Sequence, residues 1–541
     1  MLSRDDVVAA VEGSARTTHI GGSRETVVAA AVLAAAVVLF LVLVVLHRHF
    51  LHDDALIALR YARNLLDGNG LAWNPGERVE GYTNFLFVLL ASGLGALGLD
   101  LIVAVRAVNF VALACLALVF ALVLRSDRRA DEPIAATIAL ALTLANAPLV
   151  AWAFGGLEGP LLAALVAAGV AATQAQFRDG PQARLAAAGG LAFGLAVLTR
   201  PDAALFLGCA AGALILGAAR SERRRAAWSA AAMLSAAALV VLPQELWRLT
   251  YYGDWLPNTF YTKVTGLGGE ALRGGVFYVL IYLVRPPFTL LLALAALVLA
   301  LRDRERRREA TYLAASVAVY LAYIVSVGGD HMPGSRLIVP LIPLFALLVH
   351  LGAGVALRGT RLRVKATAGA ALVGLLATQT VDPAPTIADP AAQLGTVIGR
   401  HIRDAWPSGS LVALNTAGST PYFAPNHRYI DMLGLNDRTI ARRRIERIRL
   451  PGQKMPGHGK GDGAYVLARA PDFIILGGAR GALAGNPWFL SDLEIVENPS
   501  FAADYRLRIE SLDVTGMRDF TEYPATRSGR LAFMYYERVA E

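Results

Sequence analysis

The stretch LHDDALIALRYARNLLDGNGLAWNPGERVEGYTN, residues 51–84, follows directly on a long apolar run and begins with two adjacent acids, Asp53 and Asp54. Apolar side chains then recur at helical spacing from Ala55 to Leu66, opposite a polar face that carries arginines. This pattern predicts an amphipathic helix that lies on a bilayer and ends at the turn residues DGNG. We interpret the rest of the chain in relation to this carboxylate pair, which lies at the end of a predicted membrane helix.

The composition indicates a polytopic α-helical membrane protein. Of 541 residues, 55% are hydrophobic and only 17% are charged, too few for the surface of a soluble protein of this size. The apolar residues also fall into blocks close to the ~20 residues that cross a bilayer. The two cysteines, Cys115 and Cys209, lie inside such blocks, so a disulfide framework is not expected.

The formal net charge of +9 does not indicate nucleic-acid binding, because most arginines lie in short loops between apolar blocks. These loops are 125–129, 178–184, 220–225, 302–308 and 358–365. The positive-inside rule places them in the cytosol and the alternate, Lys- and Arg-poor loops outside. This topology requires the short apolar segment 85–98 to be interfacial or re-entrant. It then predicts about eleven crossings, with the N-terminus inside and the C-terminus outside.

The composition predicts three parts. Residues 1–25 form a polar cytosolic segment, and residues 26–382 form the transmembrane part, with the first outer loop at 48–84. Residues 383–541 are richer in polar groups and contain strand-like runs at 410–417 and 472–478. They predict a soluble C-terminal α/β domain outside the membrane.

With this topology, chemically active side chains from five outer loops lie on one face of the membrane. They are Asp53 and Asp54; Glu158; Arg200 and Asp202; Asn258 and Lys263; and Asp330, His331 and Arg336. Ionisable residues at membrane depth are costly, and they usually pair with each other or serve a function. The loops therefore predict one site at the boundary between membrane and water.

Each motif also has a structural interpretation, which the sequence leaves open. The acid pair could cap the interfacial helix, since acids favour helix N-termini. Arg200 and Asp202 could form a salt-bridged turn, and Glu158 could pair with Arg200 for stability alone. Lys263 and Arg336 could extend to the interface as ordinary snorkelling residues instead of binding a phosphate. The segment GGDHMPG holds one His and one Asp, which alone make no credible metal site.

Four motifs together resemble a known family. They are residues 53–84, LPNTFYTKV, GGDHMPGSRLIVPLIP and DMLGLNDR, in that order along the chain. They resemble polyprenyl-phosphate-sugar-dependent glycosyltransferases of the integral-membrane fold called GT-C, and within it the bacterial group that includes terminal arabinofuranosyltransferases.

The resemblance implies an inverting transfer of a single sugar, with arabinofuranose as the candidate. The donor would be a polyprenyl phosphate sugar, and the acceptor a cell-envelope glycan, lipid or protein at the outer face of the cell membrane. In this family an acid of the first-loop pair is the base, here Asp53 or Asp54. Repulsion between adjacent carboxylates is expected to raise one pKa and favour this role.

The resemblance also implies roles for the remaining residues. Lys263, Arg336 and Arg200 are the candidates for binding the donor phosphate. The candidates for binding the sugar or the acceptor are Glu80, Tyr82, Asn84, Glu158, Asn258, Asp330 and His331. A divalent cation held by Asp53 and Asp54 is left open, and no other cofactor is expected. The sequence has no nucleotide-binding glycine motif at a strand-to-helix junction, which agrees with a lipid-linked donor.

Two other classes of protein remain possible on the sequence. A transporter or flippase of a lipid-linked or anionic envelope precursor would use the same charges along a substrate pathway, but the paired repeats typical of transporters are not evident. A non-catalytic envelope assembly protein with a degenerate site is the other alternative. Replacing Asp53 and Asp54 distinguishes these two classes from a glycosyltransferase, because both alternatives predict little loss of glycan product.

Overall fold

The computed structural model of the protein describes residues 4–126, 133–263, 268–381, 389–514 and 529–539. Most of the first basic loop and the predicted domain boundary at 382–383 lie outside these residues. Up to residue 381 the described chain is almost entirely helical. Its α-helices are Arg4–His47, Asp53–Leu66, Phe85–Ala96, Leu101–Ser126, Pro133–Leu144, Ala147–Gly155, Gly159–Asp179, Ala183–Thr199, Ala204–Leu216, Arg223–Tyr252, Asn258–Lys263, Gly268–Val284, Thr289–Arg302, Arg307–Ser326, Ile342–Ala356 and Leu362–Ala377. Short 3-10 helices lie at Pro201–Ala203, Arg336–Leu341 and Thr378–Val381.

Seven segments of the described chain are long and apolar enough to cross a membrane. They are Arg24–His47, Leu101–Val123, Pro133–Gly155, Gly159–Asp179, Arg223–Tyr252, Arg307–Ser326 and Arg336–Ala356. Helices Gly269–Val284 and Thr289–Arg302 meet the criterion together but are bent by 79°. Phe85–Ala96, Ala183–Thr199 and Pro201–Leu216 are apolar but shorter. The prediction of a polytopic helical membrane protein is confirmed in this coarser form, and the count of about eleven crossings stays a prediction.

Close helix packing explains several of the small residues. A Cβ atom added at Gly190 would lie 2.0 Å from the Met233 carbonyl oxygen, and one at Gly194 would lie 2.9 Å from the Ala237 Cα. These glycines, four residues apart, let helix Ala183–Thr199 approach the backbone of the neighbouring helix, as small residues do at membrane helix interfaces.

The C-terminal part contains a five-stranded sheet. Its strands are β1 Leu411–Leu414, β2 Arg428–Asp431, β3 Phe473–Ile475, β4 Tyr505–Asp513 and β5 Arg530–Arg538, in the spatial order β2-β1-β3-β5-β4. Strand β1 pairs parallel with β2 and β3, whereas β5 is antiparallel to β3 and β4. Strands β1 and β3 lie within the runs 410–417 and 472–478. The accompanying α-helices are Pro390–Ala405, Ser419–Phe423, Arg438–Arg442, Gly463–Ala468, Leu490–Glu497 and Pro499–Asp504, with a 3-10 helix at Pro451–Lys454.

The polar face of helix Asp53–Leu66 packs against this C-terminal part. Arg60 is only 2% exposed, and its guanidinium donates hydrogen bonds to the backbone carbonyls of Pro421 and His427. It also lies 4.8 Å from the centre of the Tyr429 ring. A buried guanidinium needs such acceptors. The amphipathic pattern therefore predicts the helix correctly, but its arginine face binds protein instead of facing water.

Candidate active site

The acid pair occupies the first turn of helix Asp53–Leu66, but neither acid caps it. His52 precedes the helix in an extended conformation, and its Nδ1 accepts a hydrogen bond from the Asp54 backbone N–H at 3.2 Å. The imidazole thus supplies the cap. Both carboxylates nevertheless lie in the first turn, where a helix favours negative charge.

The carboxylate of Asp53 is held by the C-terminal part. Its Oδ2 accepts from the Gly418 N–H at 3.1 Å, and its Oδ1 accepts from the Ser419 N–H at 2.7 Å and the Ser419 hydroxyl at 2.5 Å. The Asp53 N–H donates to Asp389 Oδ2 at 2.7 Å. A Cβ at position 418 would lie 2.0 Å from the Asp53 carbonyl oxygen, so only glycine permits this approach. Asp53 therefore joins the first loop to the C-terminal part.

Burial, and next the negative charge of Asp389, raise the pKa of Asp53 from 3.8 to about 6. The hydrogen bonds from Ser419 oppose this rise, and the charge of Asp54 adds the smallest effect. The repulsion within the pair that we expected from the sequence is thus a minor cause. Asp53, whose pKa is raised, is also the acid whose carboxylate oxygens already accept hydrogen bonds.

Asp54 has a different environment. Among the described residues, none donates a hydrogen bond to its carboxylate. Burial acts to raise its pKa, but surrounding positive charge outweighs burial and lowers it. That charge comes, in decreasing order of effect, from His52, Arg336, His331 and Lys263. Asp54 is therefore ionised at neutral pH and lies near charged groups from three predicted outer loops.

Lys263 ends the helix Asn258–Lys263, and its side chain is exposed. Desolvation of its ammonium group, and then the charges of Arg336 and Arg200, lower its pKa. Gly457 of the C-terminal part lies beside it, since a Cβ there would be 3.9 Å from the Lys263 Cε. No carboxylate in the described ranges forms an ion pair with Lys263, which leaves this cation available to an anionic ligand.

The fifth loop supplies a second cation. Arg336 Nε donates to Asp330 Oδ2 at 2.8 Å, so Asp330 orients the guanidinium. His331 Nδ1 lies 3.8 Å from Asp330 Oδ1, and the His331 ring meets the ring of His458 edge-on at 4.8 Å between centroids. Burial lowers the pKa of His331 to about 4, so His331 is neutral at pH 7. Arg336 and Lys263 act on Asp54 together with His52.

Arg200 belongs to a network of buried polar side chains. Its Nη1 donates to Glu158 Oε1 at 3.1 Å, and its Nε and Nη2 donate to the two oxygens of Asp202 at 3.0 and 3.1 Å. Asn84 Nδ2 donates to Glu158 Oε2 at 2.9 Å, and the Tyr320 hydroxyl donates to Asp202 Oδ2 at 2.7 Å. Two carboxylates thus balance Arg200, which makes it less available to a phosphate than Lys263. This geometry matches the salt-bridged-turn interpretation.

Three predicted sugar- or acceptor-binding side chains are occupied by protein partners. Glu80 is 3% exposed and accepts from Arg248 Nε at 2.7 Å. The Tyr82 hydroxyl lies 3.2 Å from another buried tyrosine hydroxyl. Asn258 Nδ2 donates to backbone carbonyls within segment 434–437. These contacts hold the first and fourth loops against neighbouring parts of the chain.

Curated relatives carry the activity suggested by the motifs. The chain is 29% identical over 344 residues to the terminal beta-(1->2)-arabinofuranosyltransferase of Mycobacterium tuberculosis, and 28% identical over 340 residues to that of Corynebacterium glutamicum. Each match covers 56% of this chain, and 52% and 47% of the relatives. The chain thus spans about half the length of the curated relatives it matches. The predicted resemblance to glycosyltransferases is confirmed. A family model described as a domain of unknown function (DUF8728) matches residues 385–530.

Two solved structures share the overall architecture. ArnT from Cupriavidus metallidurans, bound to undecaprenyl phosphate, superposes with a TM-score of 0.50 at 14% identity, over 74% of this chain and 85% of that one. The oligosaccharyltransferase of Archaeoglobus fulgidus, in complex with Zn and sulfate, gives 0.52 at 14% identity, over 73% and 62%. Both proteins have the GT-C membrane fold. The chain has the GT-C fold. At 14% identity this similarity shows only the fold. The chemistry has to follow from the residues of the site.

Within this GT-C chain the acid pair does not fit a bridging metal ion. Among the described residues, no group of three or more His, Cys, Asp or Glu side chains is placed to hold one. Both carboxylate oxygens of Asp53 already accept hydrogen bonds from Gly418 or Ser419, and Asp54 is the acid of the pair that receives none from the described residues. The structure thus offers no support for the divalent cation that the sequence left open.

Sequence reasoning missed several groups of this site. His52 directly precedes the acid pair, and its position alone could have drawn attention. His458 lies in the glycine-rich segment PGHGKGDG, which permits close approach of the backbone. Asp389 and Ser419 have no such signal, because their partner Asp53 is more than 300 residues away along the chain.

Proposed function

We propose that the chain is an inverting glycosyltransferase that moves one sugar from polyprenyl phosphate to a cell-envelope acceptor on the outer face of the membrane. The observation that carries this proposal is the ionised carboxylate of Asp54, which receives no hydrogen bond from any described residue and lies beside the cations Lys263 and Arg336. The names of the curated relatives support arabinofuranose as the sugar. The undecaprenyl phosphate bound to ArnT supports the class of donor.

The reaction needs one base and one positively charged site. Asp54 takes the proton of the acceptor hydroxyl while that oxygen attacks the anomeric carbon. The bond from the anomeric carbon to the phosphate oxygen breaks on the opposite face, and polyprenyl phosphate leaves with the electron pair. Lys263 and Arg336 stabilise the charge that develops on the phosphate. Attack opposite to the leaving group inverts the anomeric configuration.

The lowered pKa of Asp54 belongs to the ligand-free site. A donor phosphate beside Lys263 and Arg336 would neutralise part of the positive charge that lowers this pKa. The pKa of Asp54 would then rise toward the working pH, where a general base is most effective. Asp54 thus becomes a stronger base when the donor is bound.

The other candidate site residues support the reacting groups through their contacts. Asp330 orients Arg336, and His331 lies beside it as a neutral group for hydrogen bonds to sugar or acceptor. Glu158 and Asn84 fix Arg200 in the network next to the site. Asp53 positions Asp54 by tying the first loop to the C-terminal part, and that part, residues 383–541, would hold the acceptor.

The outer-face assignment rests on the arrangement of charge. The loops that contribute Asp54, Lys263 and Arg336 alternate along the chain with the arginine-rich loops, which the positive-inside rule keeps in the cytosol. A lipid-linked donor suits that side, where nucleotide sugars are not supplied.

The test uses the purified full chain in detergent with a short-chain polyprenyl-phosphate arabinofuranose and an arabinose oligosaccharide. Release of polyprenyl phosphate is measured for wild type, for Asp54→Asn and for Asp67→Asn, which alters an exposed carboxylate at the end of the same helix. We expect Asp54→Asn to lower turnover by about 10²–10⁴-fold, as for loss of a general base. The Asp67 variant should match wild type.

Two results would count against the proposal. Equal turnover by Asp54→Asn and wild type would remove Asp54 as the base. Donor binding without release, in the presence of every acceptor tried, would favour the transporter. Proton NMR of the product tests inversion separately, because retained anomeric configuration is incompatible with a single displacement.

A further inference from the structure

A cavity lined by cationic side chains lies between the fourth outer loop and the C-terminal part. It has a volume of about 330 Å³ and is lined by Phe260, Tyr261, Ala441, Arg442, Arg444 and Lys460. The first two residues belong to the fourth outer loop and the other four to the C-terminal part. None of them has a role in the proposed reaction.

Lys460 is the unusual member of this cavity. It is 5% exposed, and its ammonium donates to the Arg443 carbonyl oxygen at 2.7 Å. Among the described residues no carboxylate forms an ion pair with it. Burial lowers the pKa of this ammonium group. Burying an ammonium group without a counter-ion is costly, so this lysine points to an anionic ligand.

The other cations of the cavity differ in how their charge is balanced. Arg442 Nη2 donates to Asp254 at 2.6 Å, and its guanidinium lies 4.5 Å from the centre of the Tyr261 ring. Arg444 is exposed and has no described acidic partner. Lys460 and Arg444 therefore leave the cavity with net positive charge.

Exposed apolar side chains place this cavity near the membrane surface. Trp255 and Leu256, which lie three and four residues beyond the end of helix Arg223–Tyr252, are 69% and 40% exposed. Phe260, which lines the cavity, is 48% exposed. Large aromatic side chains just beyond the end of a membrane helix are typical of the headgroup region.

We propose that this cavity binds the phosphate group of an anionic phospholipid, with Lys460 and Arg444 as its cationic partners. Arg can form a bidentate contact with phosphate, and a buried Lys supplies a point charge. The lipid would anchor the fourth loop to the C-terminal part at the membrane surface. This site does not depend on the proposed reaction, because binding is measured without turnover.

The test measures lipid binding to the delipidated full chain in detergent by native mass spectrometry. Phosphatidylglycerol, phosphatidylcholine and a short-chain polyprenyl phosphate are titrated separately. We expect wild type to bind one phosphatidylglycerol at least tenfold more tightly than phosphatidylcholine. Lys460→Gln and Arg444→Gln should each weaken that binding by about tenfold, the usual effect of losing a charged hydrogen bond. Arg447→Gln, at an exposed arginine of the same loop outside the cavity, is the matched control.

Several outcomes would overturn this inference. Unchanged phosphatidylglycerol affinity in Lys460→Gln would show that the lipid binds elsewhere. Displacement of phosphatidylglycerol from the Lys460 site by an equimolar amount of polyprenyl phosphate would assign the cavity to the carrier lipid. The unfolding temperature of lipid-free Lys460→Met gives an independent reading. It should equal or exceed that of wild type, whereas a clear fall would make the ammonium a structural group.

Discussion

The contact between Asp53 and the Gly418–Ser419 turn should stabilise the C-terminal part on the first loop. Replacing Asp53 by alanine removes the acceptor of three hydrogen bonds, two of them from backbone N–H groups. Each buried N–H left unpaired costs about 1–3 kcal/mol, and loss of the buried charge offsets part of that cost. We therefore expect the free energy of unfolding to fall by about 2–4 kcal/mol.

The assay combines thermal unfolding of the full chain in detergent with hydrogen exchange of residues 411–431. Asp53→Ala should lower the unfolding temperature and speed exchange across this segment. Asp54→Ala is the matched control, because no described group donates a hydrogen bond to its carboxylate. Ser419→Ala removes the hydroxyl that contacts Asp53 and the Ala391 carbonyl but keeps the backbone N–H contact, and it should cost about 1 kcal/mol.

The same contact has a definite pH dependence. The pKa of Asp53 is about 6 in the folded protein against an ordinary value of 3.8, so between these values the folded state binds more protons. The contribution of Asp53 to stability therefore increases as pH falls through this window and decreases as pH rises. Wild type should gain stability relative to Asp53→Asn when the pH is lowered from about 6 to about 4.

Two results would refute this reasoning. The first is equal destabilisation by Asp53→Ala and Asp54→Ala, which would mean that the two acids are not divided between structure and chemistry. The second is an Asp53→Ala protein that keeps wild-type exchange and stability but loses turnover, because Asp53 would then act directly in the reaction.

Three further predictions use the same full chain in detergent. Gly418→Ala should lower the unfolding temperature markedly, since its Cβ would meet backbone at 2.0 Å, whereas Gly478→Ala, which meets nothing within 4 Å, should not. Glu80→Ala should destabilise the fold by about 1–3 kcal/mol, because buried Arg248 loses one of its two carboxylate partners and keeps Glu245. The fraction of Glu80→Ala protein that remains folded should have an unchanged donor KM. A raised donor KM would instead support a role of Glu80 in sugar binding. Lys263→Gln should raise the donor KM by about tenfold with an unchanged unfolding temperature, and an unaltered KM would remove Lys263 as a phosphate ligand.

Local sequence determined much of the molecule. The composition and the apolar blocks predict a polytopic helical membrane protein because bilayer thickness sets the length of a crossing. The pattern from Asp53 to Gly70 predicts the amphipathic helix and its end, and Gly68 does adopt a left-handed φ of +79°. The order of the motifs predicts the GT-C fold and the resemblance to glycosyltransferases. Each of these features depends on neighbouring residues or on a run of sequence.

Only the tertiary structure decided how Asp53 and Asp54 differ. The two acids are adjacent in sequence and chemically identical. Their mutual repulsion, the effect that sequence alone predicts, makes only a small contribution to the raised pKa of Asp53. Asp389 and Ser419, which bond Asp53, lie more than 300 residues away from it along the chain. A hydrogen bond needs atoms within about 3 Å, and chain folding alone sets that distance. The sequence therefore determined which residues were available, and the fold determined which carboxylate is bonded by the C-terminal part and which receives no hydrogen bond from a described residue.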